Sequence, residues 1–176
     1  MKLCRYPVVV FFVSSALACG GSSSSSNSGE RIGTVVATVN GTAKTFPVEK
    51  DPAFRINGCT FVANASNPSD SFLSITGYLG NEEIYVFIAT PTEGGSWGGD
   101  TLHKVDYATD YDVDSTKTSS HNAGGSASLS LSAFSSVLGT QAVGTFSGTL
   151  ESADGSLATT VTQGSFSCTT GSLGGV

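Results

Sequence analysis

The feature that most constrains this chain is a series of short β-like runs separated by two-residue turn signals. Asn40-Gly41, Gly80-Asn81 and Asp154-Gly155 are dipeptides typical of tight hairpins, because Gly and Asn adopt the positive φ angles that such turns need. The segments beside them are rich in β-branched and aromatic residues, and none shows a sustained helical period. Parallel neighbours would need long crossover connections. The sequence therefore predicts an all-β, antiparallel, meander-like fold.

We expect about eight to nine strands, arranged as a β-barrel or as a two-sheet sandwich. A single turn of helix is expected within Ser135–Gln141, and a glycine-rich loop over Pro91–Gly99. The predicted β segments are Thr34–Val39, Thr42–Val48, Phe54–Ala63, Phe72–Leu79, Ile84–Thr90, Thr101–Asp114, Ser126–Ala133, Val143–Leu150 and Leu157–Cys168.

Two of these segments carry additional information. Ile84–Thr90 is apolar on both faces, with Tyr85 on the face opposite to its Ile and Val residues, so it is covered on both sides or faces a cavity on one. In the last segment, Val161 and Phe166 have opposite parity although both are apolar. Gly164 lies between them, which predicts a bulge that resets the register.

The N-terminus has the order of an export signal. Two cations, Lys2 and Arg5, precede an apolar stretch from Pro7 to Val13, and the small residues Ala16 to Ala18 follow. The apolar stretch is too short to span a bilayer, which takes about 20 apolar residues. We therefore expect residues 1–18 to be a signal peptide that is removed after Ala18.

Cys19 comes directly after these small residues and before a Gly/Ser-rich stretch that ends at Gly29. This arrangement resembles the lipobox of bacterial lipoproteins, whose cysteine receives a diacylglyceryl group. The resemblance implies a lipid attached to Cys19, a flexible tether over residues 19–29 and a location in the cell envelope. Gly20 in place of Asp resembles the sorting pattern for the outer membrane. The alternative is an ordinary Ala-x-Ala cleavage site without lipid.

The cysteine count favours the lipid. Of four cysteines, Cys4 leaves with the signal, and Cys59 and Cys168 can form a disulfide in an oxidising compartment. Without acylation, Cys19 would be an unpaired thiol at a flexible terminus. A Cys59–Cys168 disulfide would close a long loop and stabilise the fold by about 4–5 kcal/mol in the chain-entropy model.

The charge balance argues against nucleic acid and anionic lipid headgroups as partners of the folded part. The chain has 14 acidic and 8 basic residues, and the signal removes two of the basic ones. An acidic surface without a basic patch repels phosphates. We expect residues 30–176 to form one monomeric domain, large enough for its own core, that contacts the membrane only through the lipid.

Gly94-Gly95-Ser96-Trp97-Gly98 matches the G-x-S-x-G pattern of a nucleophile elbow, with Ser96 in the place of the nucleophile. Such an elbow requires a sharp strand-to-helix turn, and no helix is predicted to follow. His103 and His121 are the candidate bases. The favoured interpretation is a loop between strands, and a serine hydrolase that uses Ser96 is the alternative function.

Asp110, Asp112 and Asp114 alternate in the way that a calcium-binding loop begins. An EF-hand would need Gly at the sixth position and Glu at the twelfth, where this chain has Ser115 and His121. We therefore expect three solvated carboxylates on one face of a strand, with a looser calcium site as the alternative. No cofactor is expected.

Trp97, the only tryptophan, lies in the predicted glycine-rich loop. Because Trp is more often buried than not, we expect it to pack against the edge of the core, and a contact with a ligand is the alternative.

The closing stretch carries a further resemblance. Gly144–Leu150, Asp154-Gly155 and Gly164–Ser167 are similar to the C-terminal signature of small bacterial lipoproteins of unknown function. Asn40-Gly41 and a hairpin from Asp106 to Phe134 fit the same pattern. The resemblance implies a calycin-like or sandwich β domain behind an anchored N-terminus, and it brings no catalytic residues.

These observations predict a lipid-anchored envelope protein whose β domain binds without catalysis. The ligand would be a small apolar molecule in a barrel mouth, or an envelope protein that contacts the loops.

Replacing the anchor cysteine tests the first part of this prediction. Cys19→Ser should leave the domain folded and release it from membranes, because each acyl chain contributes about 0.8 kcal/mol per buried CH₂ and two chains already give stable anchoring. Membrane sedimentation with immunoblotting measures this, and Cys4→Ser is the matched control that should still sediment. A Cys19→Ser protein that sediments like the wild type would show that the lipid is not the anchor.

Overall fold

The protein is described by a computed structural model that covers residues 29–51, 56–64 and 66–172. The predicted signal, Cys4, Cys19 and residues 20–28 lie outside the described residues, so the expectations about them stay predictions. Twelve strands are described: β1 Glu30–Val39, β2 Thr42–Asp51, β3 Ile56–Asn57, β4 Cys59–Val62, β5 Phe72–Leu79, β6 Glu82–Ala89, β7 Ser96–Gly98, β8 His103–Ala108, β9 Lys117–Ser119, β10 Ser126–Ala133, β11 Gln141–Glu151 and β12 Ala158–Thr169.

The described part of the chain is all-β, which confirms the predicted class. Its only helical segments are two 3₁₀ turns, Pro68–Asp70 and Asp114–Thr116. No helix among these residues is long and apolar enough to cross a membrane. The turn of helix expected within Ser135–Gln141 is wrong, since this segment forms bends and a hydrogen-bonded turn that closes at Gly139 (φ 82°).

The strand count exceeds the expected eight to nine because three predicted segments do not form as expected. Phe54–Ala63 divides at Gly58, where a side chain would collide with the backbone of β5. Thr101–Asp114 yields β8 alone because the chain turns after Ala108, and a separate strand, β9, forms beyond it at Lys117–Ser119. Part of Pro91–Gly99, expected as a loop, forms β7 by pairing with β10.

The strands pair antiparallel in the order β3-β2-β1-β12-β11-β9-β8-β6-β5-β4, with β10 and β7 branching from β11. The order follows the chain except where β12 pairs with β1, β11 with β9 and β8 with β6. The expected Asp106–Phe134 hairpin is wrong, because the edges of β10 are taken by β11 and β7 and not by β8.

The sheet does not close into a barrel, so that alternative is wrong, and a sandwich or an open sheet fits the pairing. The strands near the two ends of the order nevertheless approach each other. A Cβ on Gly77 of β5 would lie 2.7 Å from the Cβ of Phe46 on β2. Lys44 of β2 donates to Glu82 Oε2 (2.5 Å) and to the hydroxyl of Tyr107 (3.0 Å), which links β2 to β6 and β8.

The buried apolar side chains of the described residues form one core cluster. It takes alternate residues from each long strand, as the period of two requires. Among the described residues, every buried side-chain nitrogen or oxygen has a hydrogen-bond partner. The largest fully buried side chains are those of Phe46, Phe166, Leu73, Ile75, Ile84, Ile88, Leu129, Leu131, Leu150, Val35, Val48 and Val86.

The predicted register change in the last strand is confirmed. Gly164 pairs with Phe146 and Val161 with Gly148, so β12 uses one residue more than β11 over the same distance. The pairing of β12 with β1 shows the same register shift, since β12 advances by three residues from Thr162 to Ser165 while β1 advances by two. Gln163 has φ 52°, which identifies it as the bulged residue.

The bulge determines which side chains of β12 reach the core. Val161 lies before it and Phe166 and Cys168 lie after it, and all three are buried. Without the bulge, the last two would point to the opposite face.

The predicted disulfide is confirmed. Cys59 and Cys168 are bonded, with Cα atoms 6.1 Å apart and 109 residues of sequence separation. Both are buried, and Gly33 of β1 packs so closely on Cys168 that a Cβ there would collide with it. The bond therefore fixes the end of β12 to the start of β4.

Removal of the disulfide should destabilise the fold without changing it. The double variant Cys59→Ala/Cys168→Ala should lose about 4–5 kcal/mol of unfolding free energy, because the unfolded chain regains the entropy of a long open loop. Urea denaturation measures this, with reduced wild-type protein as the control for the lost sulfur volume. If the double variant is as stable as the oxidised protein, the bond carries no such role.

The bulge makes a separate prediction. Gln163→Val should destabilise by about 1 kcal/mol or more, because a β-branched residue is strained at positive φ. Thr162→Val, the neighbouring exposed position, should change stability by less than about 0.5 kcal/mol. Equal effects of the two substitutions in urea denaturation would contradict the assignment of the bulge to Gln163.

Candidate functional site

Strand β6 has a buried inner face and a half-buried outer face, and the outer face forms one wall of the candidate site. Ile84 and Val86 lie in the core, whereas Glu83, Tyr85 and Phe87 are half-buried on the opposite face. The Phe87 ring stacks on Tyr85, with centroids 6.3 Å apart. The outer face of β6 is thus only partly covered.

A cavity of about 650 Å³ lies against this outer face. Its walls are β6, β8, the segment 114–122 and the β11–β12 connection 152–156. Cavities of about 300–1,000 Å³ are typical of small-molecule sites. The residues that line it are Glu83, Tyr85, Asp106, Tyr107, Ala108, Asp114, Ser115, Lys117, Thr118, Ser119, Asn122, Ser152, Ala153, Asp154 and Ser156.

Asp106 is at the centre of the β8 wall. It pairs in register with Tyr85 of β6 on one side and with Ser119 of β9 on the other. Its Oδ2 forms an ion pair with Lys104 Nζ at 2.9 Å, and the same Nζ lies 5.5 Å from the centroid of the Tyr85 ring. The carboxylate is thus neutralised within the wall.

Ser119 connects Asp106 to His121. The Ser119 hydroxyl donates to Asp106 Oδ1, and its oxygen lies 2.5 Å from His121 Nδ1. Because the single hydroxyl proton is given to the carboxylate, the hydrogen atom in the second bond belongs to the imidazole. His121 is therefore a donor to Ser119 and not a base that activates it.

The β11–β12 connection forms the opposite wall around Asp154. Its Oδ1 accepts from the hydroxyls of Ser152 (2.6 Å) and Ser156 (2.7 Å) and from the Ser156 amide (3.0 Å). The Ser152 hydrogen bond, followed by those of Ser156, lowers the pKa of Asp154 to about 2. Asp154 is therefore an ionised carboxylate whose charge is held by hydroxyl and amide donors.

Glu83 differs from these carboxylates. Among the described residues it has no hydrogen-bond or ion-pair partner. Burial raises its pKa; the charge of Lys117 lowers it and that of Asp106 raises it further. The Lys117 ammonium is itself held by Asp114 Oδ1 at 2.7 Å.

The phenol of Tyr85 stays protonated at neutral pH. Burial is the main cause that raises its pKa to about 12, and the negative charges of Asp106 and Glu83 add to the shift. Tyr85 therefore presents an aromatic face and an uncharged hydroxyl to the cavity.

The sequence-predicted site around Ser96 does not have the geometry of a nucleophile elbow. Ser96 is exposed within strand β7, and the next element is another strand. His103 is held by Asp100 Oδ1 at Nδ1 (3.1 Å) and faces the carbonyl oxygen of Ala89 at Nε2 (3.2 Å). Both ring nitrogens are thus used away from Ser96.

Trp97 packs against the edge of the core, as predicted. It is half-buried, lies against the core cluster, and stacks on the His103 ring with centroids 5.4 Å apart and an interplanar angle of 13°. It does not line the cavity.

The three aspartates do not share one strand face, because β8 ends at Ala108. The side chain of Asp110 accepts from the Asp112 amide in a turn, and Asp114 begins a 3₁₀ turn and binds Lys117. Among the described residues, no group of three or more His, Cys, Asp or Glu side chains is placed to hold a metal ion.

The cavity residues were not predicted as site residues. One feature of the sequence indicated this site. Tyr85 lies on the second apolar face of its strand, and such a face is either covered or borders a cavity. Glu83, Asp106 and Ser119 are ordinary polar residues in sequence, and only the pairing of β6, β8 and β9 brings them together.

Comparison of the chain with protein-family models, curated proteins and solved structures found no match. The resemblance to small bacterial lipoproteins therefore stays a prediction.

Proposed function

We propose that this chain is a binding lipoprotein of the bacterial envelope, held to the outer membrane by a lipid on Cys19. The β domain binds a small molecule in the cavity between β6, β8 and the two connecting segments. The observation that carries the proposal is this cavity of about 650 Å³, lined by an aromatic ring and several polar groups. Because polar groups line the cavity beside the aromatic ring, we now expect an amphipathic ligand and not the small apolar ligand that the sequence predicted.

The chemistry of the lining supports binding over catalysis. The Ser119 hydroxyl is used by Asp106 and His121, and the Asp154 carboxylate by Ser152 and Ser156. These groups are fixed in place by one another, as the walls of a preformed site are. An envelope protein that contacts the loops is the second possible partner.

For the finer architecture, we propose a sandwich whose two sheets meet at β11. One edge of β11 pairs with β12, and its other edge is shared by β10 along most of its length and by β9 at Glu151. The branch at β11 lets β10 and β7 extend one sheet while β9, β8, β6, β5 and β4 form the other.

Thermal shift with a panel of sugars, amines, amino acids, nucleosides and fatty acids tests the function. A ligand at a hundred times its Kd stabilises by about 2.7 kcal/mol, which raises the Tm of a domain of this size by about 5–10 °C. We expect at least one class to do so.

Filling the cavity provides the control. Ala108→Phe places a ring in the cavity from β8, and it should abolish the shift once its own melting curve shows that it folds. Thr45→Phe, at an exposed position on β2, should leave the shift unchanged. The proposal fails if no class shifts the wild-type Tm at about 10 mM, far above ordinary affinities, or if Ala108→Phe retains the full shift.

A further inference from the structure

Four acidic residues line the cavity, and two of them are paired with lysines. Asp106 is paired with Lys104, and Asp114 is paired with Lys117. Each lysine near the cavity is thus already neutralised. Glu83 has no such partner among the described residues.

Among the described residues Asp154 also forms no ion pair, but its carboxylate accepts hydrogen bonds. Its Oδ1 accepts three hydrogen bonds from Ser152 and Ser156, and its side chain is exposed to solvent. Glu83 has neither those donors nor that exposure. Because every buried side-chain oxygen of the described residues has a partner, the unpartnered oxygens of Glu83 are open to solvent, and a cationic ligand group in the cavity can pair with them.

Beside Glu83 lies an aromatic ring that already contacts one cation. Lys104 Nζ is 5.5 Å from the centroid of the Tyr85 ring, within the range of a cation–π contact. Phe87 stacks on Tyr85 and continues the aromatic surface towards Phe72, whose centroid is 5.3 Å from that of Phe87. Phe87 and Phe72 do not line the cavity, so its wall combines the Glu83 carboxylate with the ring of Tyr85.

We propose that the cavity binds a small organic cation, an amine or a quaternary ammonium, with Glu83 as its counter-ion and Tyr85 as its aromatic contact. The inference rests on the proposed function, for which it specifies the ligand class. An organic cation fits better than an anion, because both nearby lysines are engaged. It fits better than a divalent metal ion, because the described residues provide no group of three converging ligands.

Three probes of similar size separate the possible ligands. Choline carries a quaternary ammonium, 3,3-dimethylbutan-1-ol is its uncharged isostere, and glucose is a neutral polyol. Isothermal titration calorimetry with the purified full chain should show binding of choline, with the isostere bound at least about tenfold more weakly, the factor that about 1.4 kcal/mol of charge interaction gives.

Two variants assign the contacts. Glu83→Gln should weaken choline binding by about ten- to a hundredfold, the range expected for loss of a charged contact, and Tyr85→Leu should weaken it by about three- to thirtyfold. Glu93→Gln, which removes one exposed carboxylate that does not line the cavity, should leave the affinity unchanged.

The pH profile adds a readout that a purely structural role would not change. Glu83 is faced by Tyr78 from β5, Tyr85 from β6, Asp106 from β8 and Lys117 from β9. Binding requires ionised Glu83, and burial raises the pKa of that carboxyl. The affinity should therefore be constant above this raised pKa and fall as the pH falls through it, and Glu83→Gln should remove that dependence.

The outcomes separate this inference from the proposed function. Equal binding of choline and its isostere, or full affinity in Glu83→Gln, overturns the cation proposal. Binding of glucose without choline also overturns it and leaves the binding function intact. Failure of all three probes together with the whole thermal-shift panel overturns both.

Discussion

Strand β12 lies between β1 and β11, and its burial depends on the bulge at Gln163. A strand alternates its side chains between two faces, so a continuous β12 could place either Val161 or Phe166 in the core but not both. The extra residue at positive φ places both inside. It also directs Cys168 towards Cys59, and the disulfide then fixes the end of the chain to β4. The two halves of the sheet order are connected through this strand.

The candidate site depends on a second property of the sheet, which is that both faces of β6 carry apolar or aromatic side chains. Its inner face contributes Ile84 and Val86 to the core, and its outer face contributes Glu83 and Tyr85 to the cavity. Strands β6 and β8 thus hold the aromatic ring and the carboxylates, while the segments 114–122 and 152–156 line the other sides of the cavity. Because the same strand serves core and cavity, the position of the site is determined by the packing of the fold.

Local pattern was sufficient for much of the fold. The turn dipeptides, the bulge before Gly164 and the pairing of Cys59 with Cys168 all followed from parity and residue type. The errors occurred where a pattern does not determine the partner strand. Trp97 lies in a strand because β10 offers it an edge, and the aspartates after Ala108 lie in turns because β8 ends early. A short polar segment has no preference strong enough to determine either outcome.

The sequence by itself determined the all-β class, the antiparallel connections and the residues of the disulfide, because these depend on alternation, turn residues and the two cysteines that lie in β segments. Only the tertiary structure decided that the sheet does not close into a barrel and where the cavity lies. Glu83, Asp106 and Ser119 come from three strands, and they meet because β8 pairs with β6 on one side and β9 on the other. Such meetings depend on which edges pair across long sequence distances, and no local pattern of residues encodes that choice.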